Sequence, residues 1–282
     1  MGVAPDLRGK LILAPASSLL VDGVVLPDRL IGYKATESVV AAGAESEFTL
    51  ADPRAALDLA EGMQVQLRLG YQGLYAPTPV YTGRVLSVAR RQDTRVRTTT
   101  DFALAAEIKV TWRRMTPESI VRGLLAACAF PVDVARLDLP PRVLPHFVCK
   151  QASVKEHLRS LRYNLIRHKW PIGGHVLEEG YPTWWFDRLG QFHWHGAEAG
   201  ISGAPFRFEY GFNISELNPA DSAPGLIRLT TYPVPWVQAG DMVLVTHPYV
   251  GEAQPFRVDT HVHERQGGRT RSDLMLSPWL TA

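Results

Sequence analysis

Two pairs of histidines stand at i, i+2 in this sequence, His193 with His195 and His261 with His263, the second pair beside Glu264. In an extended strand that spacing turns both imidazoles to one face, and two such pairs could supply four nitrogen ligands to a metal ion. Their neighbours argue otherwise. Phe256, Val258, Thr260 and Val262 make one apolar face of the later strand, which leaves Arg257, Asp259, His261 and His263 on the opposite, solvated one. His193 and His195 likewise alternate with Phe192 and Trp194. Both pairs are therefore expected to face solvent, and no metal ligand is assigned.

Hydrolytic chemistry is no better served. A glycosidase needs two carboxylates across a cleft, whereas Glu178 and Glu179 are adjacent in a glycine-flanked loop, and no GxSxG nucleophile motif occurs. The phosphate-cradling patterns GxGxxG and GxxxxGK[ST] are absent as well. Trp184, Trp185 and Trp194 could form a sugar-stacking platform with Glu178, Glu179 or Asp187 as acids, but aromatics alternating through a hairpin are more often core. No catalytic residue, cofactor or cofactor-binding residue is assigned. The two cysteines, Cys128 and Cys149, lack a CxxC or metal-ligand neighbour and are expected to be buried thiols. Arg84, Arg90, Arg91, Arg95 and Arg97 cluster on one expected hairpin, with Arg113 and Arg114 nearby. They read as a charged outer face, or, if copies form a ring, as a repeated lining.

These residues need elements to hold them. The 282-residue chain carries 30 Lys+Arg against 28 Asp+Glu, a formal charge of +2, which argues against a dedicated nucleic-acid binder or a polybasic membrane protein. With 46% hydrophobic and 21% charged residues it can bury a core, and 23 Gly with 21 Pro suit many short strands joined by turns. The apolar run Leu11-Ile12-Leu13-Ala14 is too short for a signal peptide, and no window reaches the roughly 18–20 apolar residues of a membrane-spanning helix, so synthesis as a soluble cytoplasmic protein without membrane insertion is expected.

Period-two patterning predicts strands at 19–25, 31–39, 46–50, 64–71, 80–88 and 95–101. In the clearest, Val65, Leu67, Leu69 and Tyr71 share a face opposite Gln64, Gln66 and Arg68. The period then changes. Thr116-Pro117-Glu118 reads as a helix start before Ile120, Val121, Leu124, Leu125 and Cys128, and the capping box Ser153-Val154-Lys155-Glu156 opens a second helix. A hairpin is expected around Asp187-Arg188-Leu189-Gly190. From Leu226 period two returns and repeats the first section: Gly62 falls on Gly240, Val65 on Val243, Leu67 on Val245, and Tyr81-Thr82-Gly83-Arg84-Val85 on Phe256-Arg257-Val258-Asp259-Thr260. The expected architecture is mainly β with an α+β insertion. An N-terminal segment (1–18) precedes a first small antiparallel barrel (19–101), an α+β section (102–215) and a second barrel (216–282).

The order of these parts resembles the baseplate hub proteins of contractile and related phage tails, including the late-control D family and the hub half of type VI secretion spike proteins. The resemblance rests on Ser46-Glu47-Phe48-Thr49-Leu50 before Gly62-Met63-Gln64-Val65, and on Val80-Tyr81-Thr82-Gly83-Arg84-Val85, where the family has a "v-f-x-G-x-v" strand. It rests further on Trp184-Trp185-Phe186-Asp187-Arg188-Leu189-Gly190-Gln191-Phe192, similar to "y-v-D-x-x-G-x-l", and on Gly240-Asp241-Met242-Val243 at the start of the second barrel. It covers nearly all of residues 19 to 280. It implies two tube-type barrels related by pseudo-symmetry, three chains closing into a ring with six barrel positions, and no enzyme activity. The partners it implies are further copies in a homotrimer, the tail tube protein, a central spike protein, other baseplate proteins, the tape measure protein and transient, non-specific DNA passage. The location it implies is the virion tail baseplate, after synthesis in the host cytoplasm. Because the sequence stops shortly after the second barrel, any spike or lysozyme domain is expected on a separate polypeptide.

Overall fold

The computed structural model describes residues 14–26, 28–52, 56–71, 74–172, 175–176, 184–195, 205–220 and 225–279. The first third is all β: β1 (Pro15–Val21), β2 (Val24–Val25), β3 (Leu30–Ser38), β4 (Glu45–Leu50), β5 (Gln64–Tyr71), β6 (Leu74–Tyr75), β7 (Tyr81–Arg90) and β8 (Thr94–Thr99). Alternation decides which residues go inside. Val65, Leu67 and Leu69 of β5 meet Phe48 and Leu50 of β4, Tyr81 and Val85 of β7, and Val96 of β8 in one closed core. The strands run in the order β3-β4-β8-β7-β5-β1 and curl so that β1 comes back towards β3.

The middle section holds β9 (Glu107–Met115), α1 (Pro117–Ala126), β10 (Val134–Leu137), β11 (Leu144–Ser153), α2 (Val154–Arg167), β12 (Pro171–Ile172), β13 (His175–Val176), β14 (Trp185–Phe186) and β15 (Phe192–Trp194). Both helix starts follow the sequence reading. Thr116 caps α1 by accepting from the Ser119 N–H, with Pro117 in the first turn. At α2, Ser153 Oγ accepts from the Glu156 N–H while Glu156 accepts from the Ser153 N–H. The apolar faces of α1 and α2 share a core with Phe147, Trp184, Phe192 and Trp194. The β9–β11 pair is not among the expected strands, although Ile108, Val110 and Trp112 alternate with Lys109, Thr111 and Arg113 along β9, and Phe147 and Cys149 with His146, Val148 and Lys150 along β11.

The last section comprises β16 (Phe206–Glu209), β17 (Ile214–Pro219), β18 (Ile227–Thr231), β19 (Met242–His247), β20 (Gly251–Gln266) and β21 (Arg269–Pro278). Its strand order, β17-β18-β21-β20-β19-β16, repeats β3-β4-β8-β7-β5-β1 of the first barrel. The correspondence extends to single hydrogen bonds. Gly62 and Gly240, both at positive φ, donate to Val85 O and Val258 O, and the Val85 and Val258 N–H groups return to Met63 O and Asp241 O. Both barrels carry a bulge at the next residue, Leu86 and Asp259, and another at Ile31 and Ser215. The repeat is therefore real, with one correction: Val85 corresponds to Val258 and Gly83 to Phe256, two residues from the alignment drawn on the sequence. The strands of this barrel also begin earlier than position 216, because β16 pairs with β19 and puts Phe208 into its core.

The two barrels are one continuous sheet. β20 is long enough to pair with β19 through its first half and, through residues 260–265, with β3 of the first barrel.

Candidate functional site

The bulge at Asp259 reverses the expected placement of two histidines. One extra residue in a strand exchanges its faces, so Phe256 and Val258 point inward as expected, but beyond Asp259 the inward residues are His261 and His263. Both are fully buried, not solvated as the unbroken alternation implied. Asp259 at the bulge accepts from Arg257 and from Ser277 Oγ.

The ring planes of His261 and His263 tilt against each other with centroids 3.8 Å apart. His261 Nδ1 lies 3.1 Å from Val237 O, which can only accept, so Nδ1 carries the proton. His263 Nδ1 lies 3.2 Å from Ser272 Oγ, itself accepting from the Val234 N–H. Burial, reinforced by the nearby Arg188 charge, pushes His261 down to about 3, and burial, His261 and Arg188 hold His263 well below its ordinary value. Both are neutral.

Glu37 completes the cluster. In β3 the inward residues are Tyr33, Ala35 and Glu37, so this carboxylate stands on an apolar face and is as buried as its neighbours. Arg188 answers it: Nε donates to Oε1 at 3.1 Å and Nη2 to Oε2 at 3.0 Å, while Nη1 and Nη2 also donate to Pro235 O at 3.0 Å and Val237 O at 2.8 Å. Burial pushes the Glu37 carboxyl up, and the Arg188 guanidinium opposes that.

Arg188 reaches this position from the middle section on a turn built for it. Asp187 accepts from the Leu189 and Gln191 N–H groups, the Gly190 N–H closes onto Asp187 O, and His193 Nε2 holds the other carboxylate oxygen at 2.9 Å. The Arg188 carbonyl accepts from Thr82 Oγ1 of β7. One side chain thus joins the first barrel, the middle section and the segment leading into β19.

Glu37, His261 and His263 lie within metal-ligand reach of one another, and the Nε2 atoms of both rings have no hydrogen-bond partner among the described residues. The donor set does not fit a cation. Both oxygens of Glu37 are taken by Arg188, whose positive charge stands beside the rings, and the group is already neutral overall. His193 and His195 are elsewhere, packed against Trp185.

The other candidates fall away from chemistry. Trp184 and Trp194 are buried edge to face, 5.3 Å apart, in the α+β core, and Trp185 is covered, so they offer no sugar platform. Asp187 is a turn organiser, and Glu178 and Glu179 lie outside the described residues. Cys149 is buried and Cys128 half-buried, both thiols pushed up to about 11 by burial. Of the basic cluster, Arg97 and Arg95 pair across β4 with Glu45 and Glu47. Arg84 donates to Gly62 O and lies over the Phe130 ring, and Arg90 donates to the Leu57 and Leu59 carbonyls. Among the described residues no helix is long and apolar enough to cross a membrane.

This fold, two barrels with an α+β section between them, is shared at low sequence identity with solved phage tail proteins. Three solved structures share it. The 43 kDa tail protein of prophage MuSo2 from Shewanella oneidensis superposes with a TM-score of 0.68 at 10% identity over 94% of this chain and 98% of its own. A tail protein from Neisseria meningitidis MC58 gives 0.64 at 12% over 94% and 96%. The E. coli c3393 protein, a type VI secretion component described as similar to the T4 tail proteins gp27 and gp5, gives 0.63 at 11% over 93% of this chain and 77% of its own. No family model matches the sequence, and no curated protein matches it.

Proposed function

We propose that this chain is a non-enzymatic baseplate hub subunit of a phage tail or phage-like injection machine. Three copies form a ring of six barrel positions between a six-fold tail tube and a three-fold spike. The supporting observation is the internal repeat: two barrels of matching strand order, bulges and hydrogen bonds, fused edge to edge in one sheet. Two quasi-equivalent units per chain are what a three-chain adaptor to six-fold symmetry requires. The likeness to tail proteins over almost the whole chain supports the same reading.

In this role the partners are the tube, the spike, other baseplate proteins and the tape measure protein, with DNA crossing the lumen transiently. A formal charge of +2 suits passage, since each tight phosphate contact would slow it. The protein is made in the host cytoplasm and ends in the virion baseplate. Negative-stain imaging of the purified protein, alone and mixed with its tube and spike partners, tests this. A three-fold ring with a central hole is expected. A compact monomer that hydrolyses peptidoglycan would overturn it.

A further inference from the structure

We propose that the junction between the two barrels of one chain is repeated between copies. The end of β7 at Ala89 and Arg90, whose edge carries no strand there among the described residues, and the turn residues Arg91 and Gln92 after it receive Leu217 to Ala220 at the end of β17 of a second copy as an antiparallel strand, with Ala89 opposite Ala220. The inference rests on the ring reading and adds strands and register to it.

The argument starts from what β20 does with one edge. Met242–Val245 of β19 occupy it as far as the bulge, and beyond the bulge Tyr33–Ser38 of β3 take over. β7 is the counterpart of β20, and its first half is occupied in the same way by Gln64–Leu67 of β5. Past its own bulge that edge has no strand among the described residues, and Ser87, Ala89, Arg90 and Arg91 are exposed. The counterpart of β3 is β17, the outermost strand of the sheet, with Glu216, Asn218 and Pro219 exposed. Each barrel therefore has a site of the kind the chain fills once, and β7 and β17 are the unfilled halves.

Register follows from matching rows across the two barrels. Tyr33, Phe48, Val96 and Val88 are successive partners in the first, and Leu217, Leu229, Leu274 and His261 in the second. Leu217 thus takes the place of Tyr33, Ala220 that of Thr36, and Ala89 that of Val262. Since Thr36 faces Val262 within the chain, Ala220 faces Ala89 between copies.

Backbone polarity agrees. The Thr36 N–H turns to Ser46 Oγ in β4, away from β20, and the Ala220 N–H likewise turns inward to Leu226 O. Leu217 and Pro219 then face the open edge, where Pro219 leaves no bare N–H while its carbonyl can accept from the Arg90 N–H. On the outer face Asn218 falls opposite Arg91 with Glu216 on the diagonal, where the chain has Lys34 opposite Glu264. An edge-to-edge contact between unlike strands is heterologous and must close into a ring to avoid a fibre, which three copies with six barrels achieve.

Ala89 and Ala220 form a pair without mutual hydrogen bonds, in which Cα atoms stand about 4.5 Å apart, inside disulfide reach. The full-length Ala89→Cys/Ala220→Cys variant is oxidised, alone and with its tube partner, and read on a non-reducing gel, with light scattering for oligomeric state. Covalent dimers and trimers are expected, with none from either single variant. Thr36→Cys/Val262→Cys, the same pair inside one chain, is expected to close without raising the mass. If trimers form and only the internal pair closes, the register is overturned while the ring reading stands. If no trimer forms under any condition, both fail.

Discussion

Arg188 is the sharpest place to test the junction. Replacing it by methionine removes both hydrogen bonds to Glu37 and the donors to Pro235 O and Val237 O, leaving a carboxylate sealed in the interior. Breaking a buried ion pair costs about 3–5 kcal/mol, and two carbonyls losing donors add about 1 kcal/mol each. Arg188→Met should therefore cost about 5–7 kcal/mol, a large part of the 5–15 kcal/mol or so that holds an ordinary domain. In Arg188→Met/Glu37→Leu no charge is left behind, and most of that loss should return. Urea unfolding followed by tryptophan fluorescence reads the cycle, since Trp184 and Trp194 report on the middle section and Trp236, stacked on Tyr71, reports between barrels. The pH trend is a second readout. Without Arg188, burial raises the Glu37 carboxyl further, so the folded state holds a proton that the unfolded state releases. The penalty of the single variant should then shrink as pH falls from 8 towards 5. A single-variant cost under about 1 kcal/mol, or costs that simply add, would refute the role given to this pair.

Three further outcomes are expected. His261 sits at about 3 when folded against about 6.5 unfolded, so its contribution is complete above about pH 6.5 and drains away on acidification towards pH 3; in urea unfolding His261 should account for about 3 kcal/mol of the stability lost between pH 7 and 4, with His263 adding to the loss in the same direction, and the loss should be smaller in His261→Gln. Gly83→Ala should cost about 1–3 kcal/mol by thermal melting, because a Cβ there would meet the Tyr81 hydroxyl at 2.2 Å and the Thr99 carbonyl at 3.0 Å. Trp194→Ala should cost about 3–5 kcal/mol and leave pull-down on peptidoglycan unchanged, whereas a specific loss of sugar binding in a stable variant would restore the carbohydrate reading.

Strands whose alternation ran unbroken were legible from sequence. Gln64–Tyr71 was placed to the residue, and both helix starts were visible because caps are local chemistry. What escaped depended on single inserted residues and distant partners. Asp259 gives no local sign that it is a bulge, so the unbroken alternation puts His261 and His263 on the wrong face; the repeat slips by two positions between β7 and β20 because the aromatic Phe256 is matched to Tyr81, whereas Gly83 is the residue that stands opposite Val65 as Phe256 stands opposite Val243. Glu37 did carry a signal, a carboxylate in step with Tyr33 and Ala35, but its partner is 151 positions away in a turn and no spacing rule connects them.

The seam between β3 and β20 also sets a timetable. Ser38 reaches across it to Asp259, 221 positions later in the chain. At about 5–20 residues per second of synthesis, β3 waits on the order of ten to forty seconds with its edge bare, long enough to be captured by another nascent chain. Lys34 and Glu37 stand on that waiting edge as charges that discourage mispairing. When β20 arrives, Lys34 comes to lie opposite Glu264 and Glu37 is taken by Arg188, so the residues that guard the unfinished protein become fastenings of the finished one.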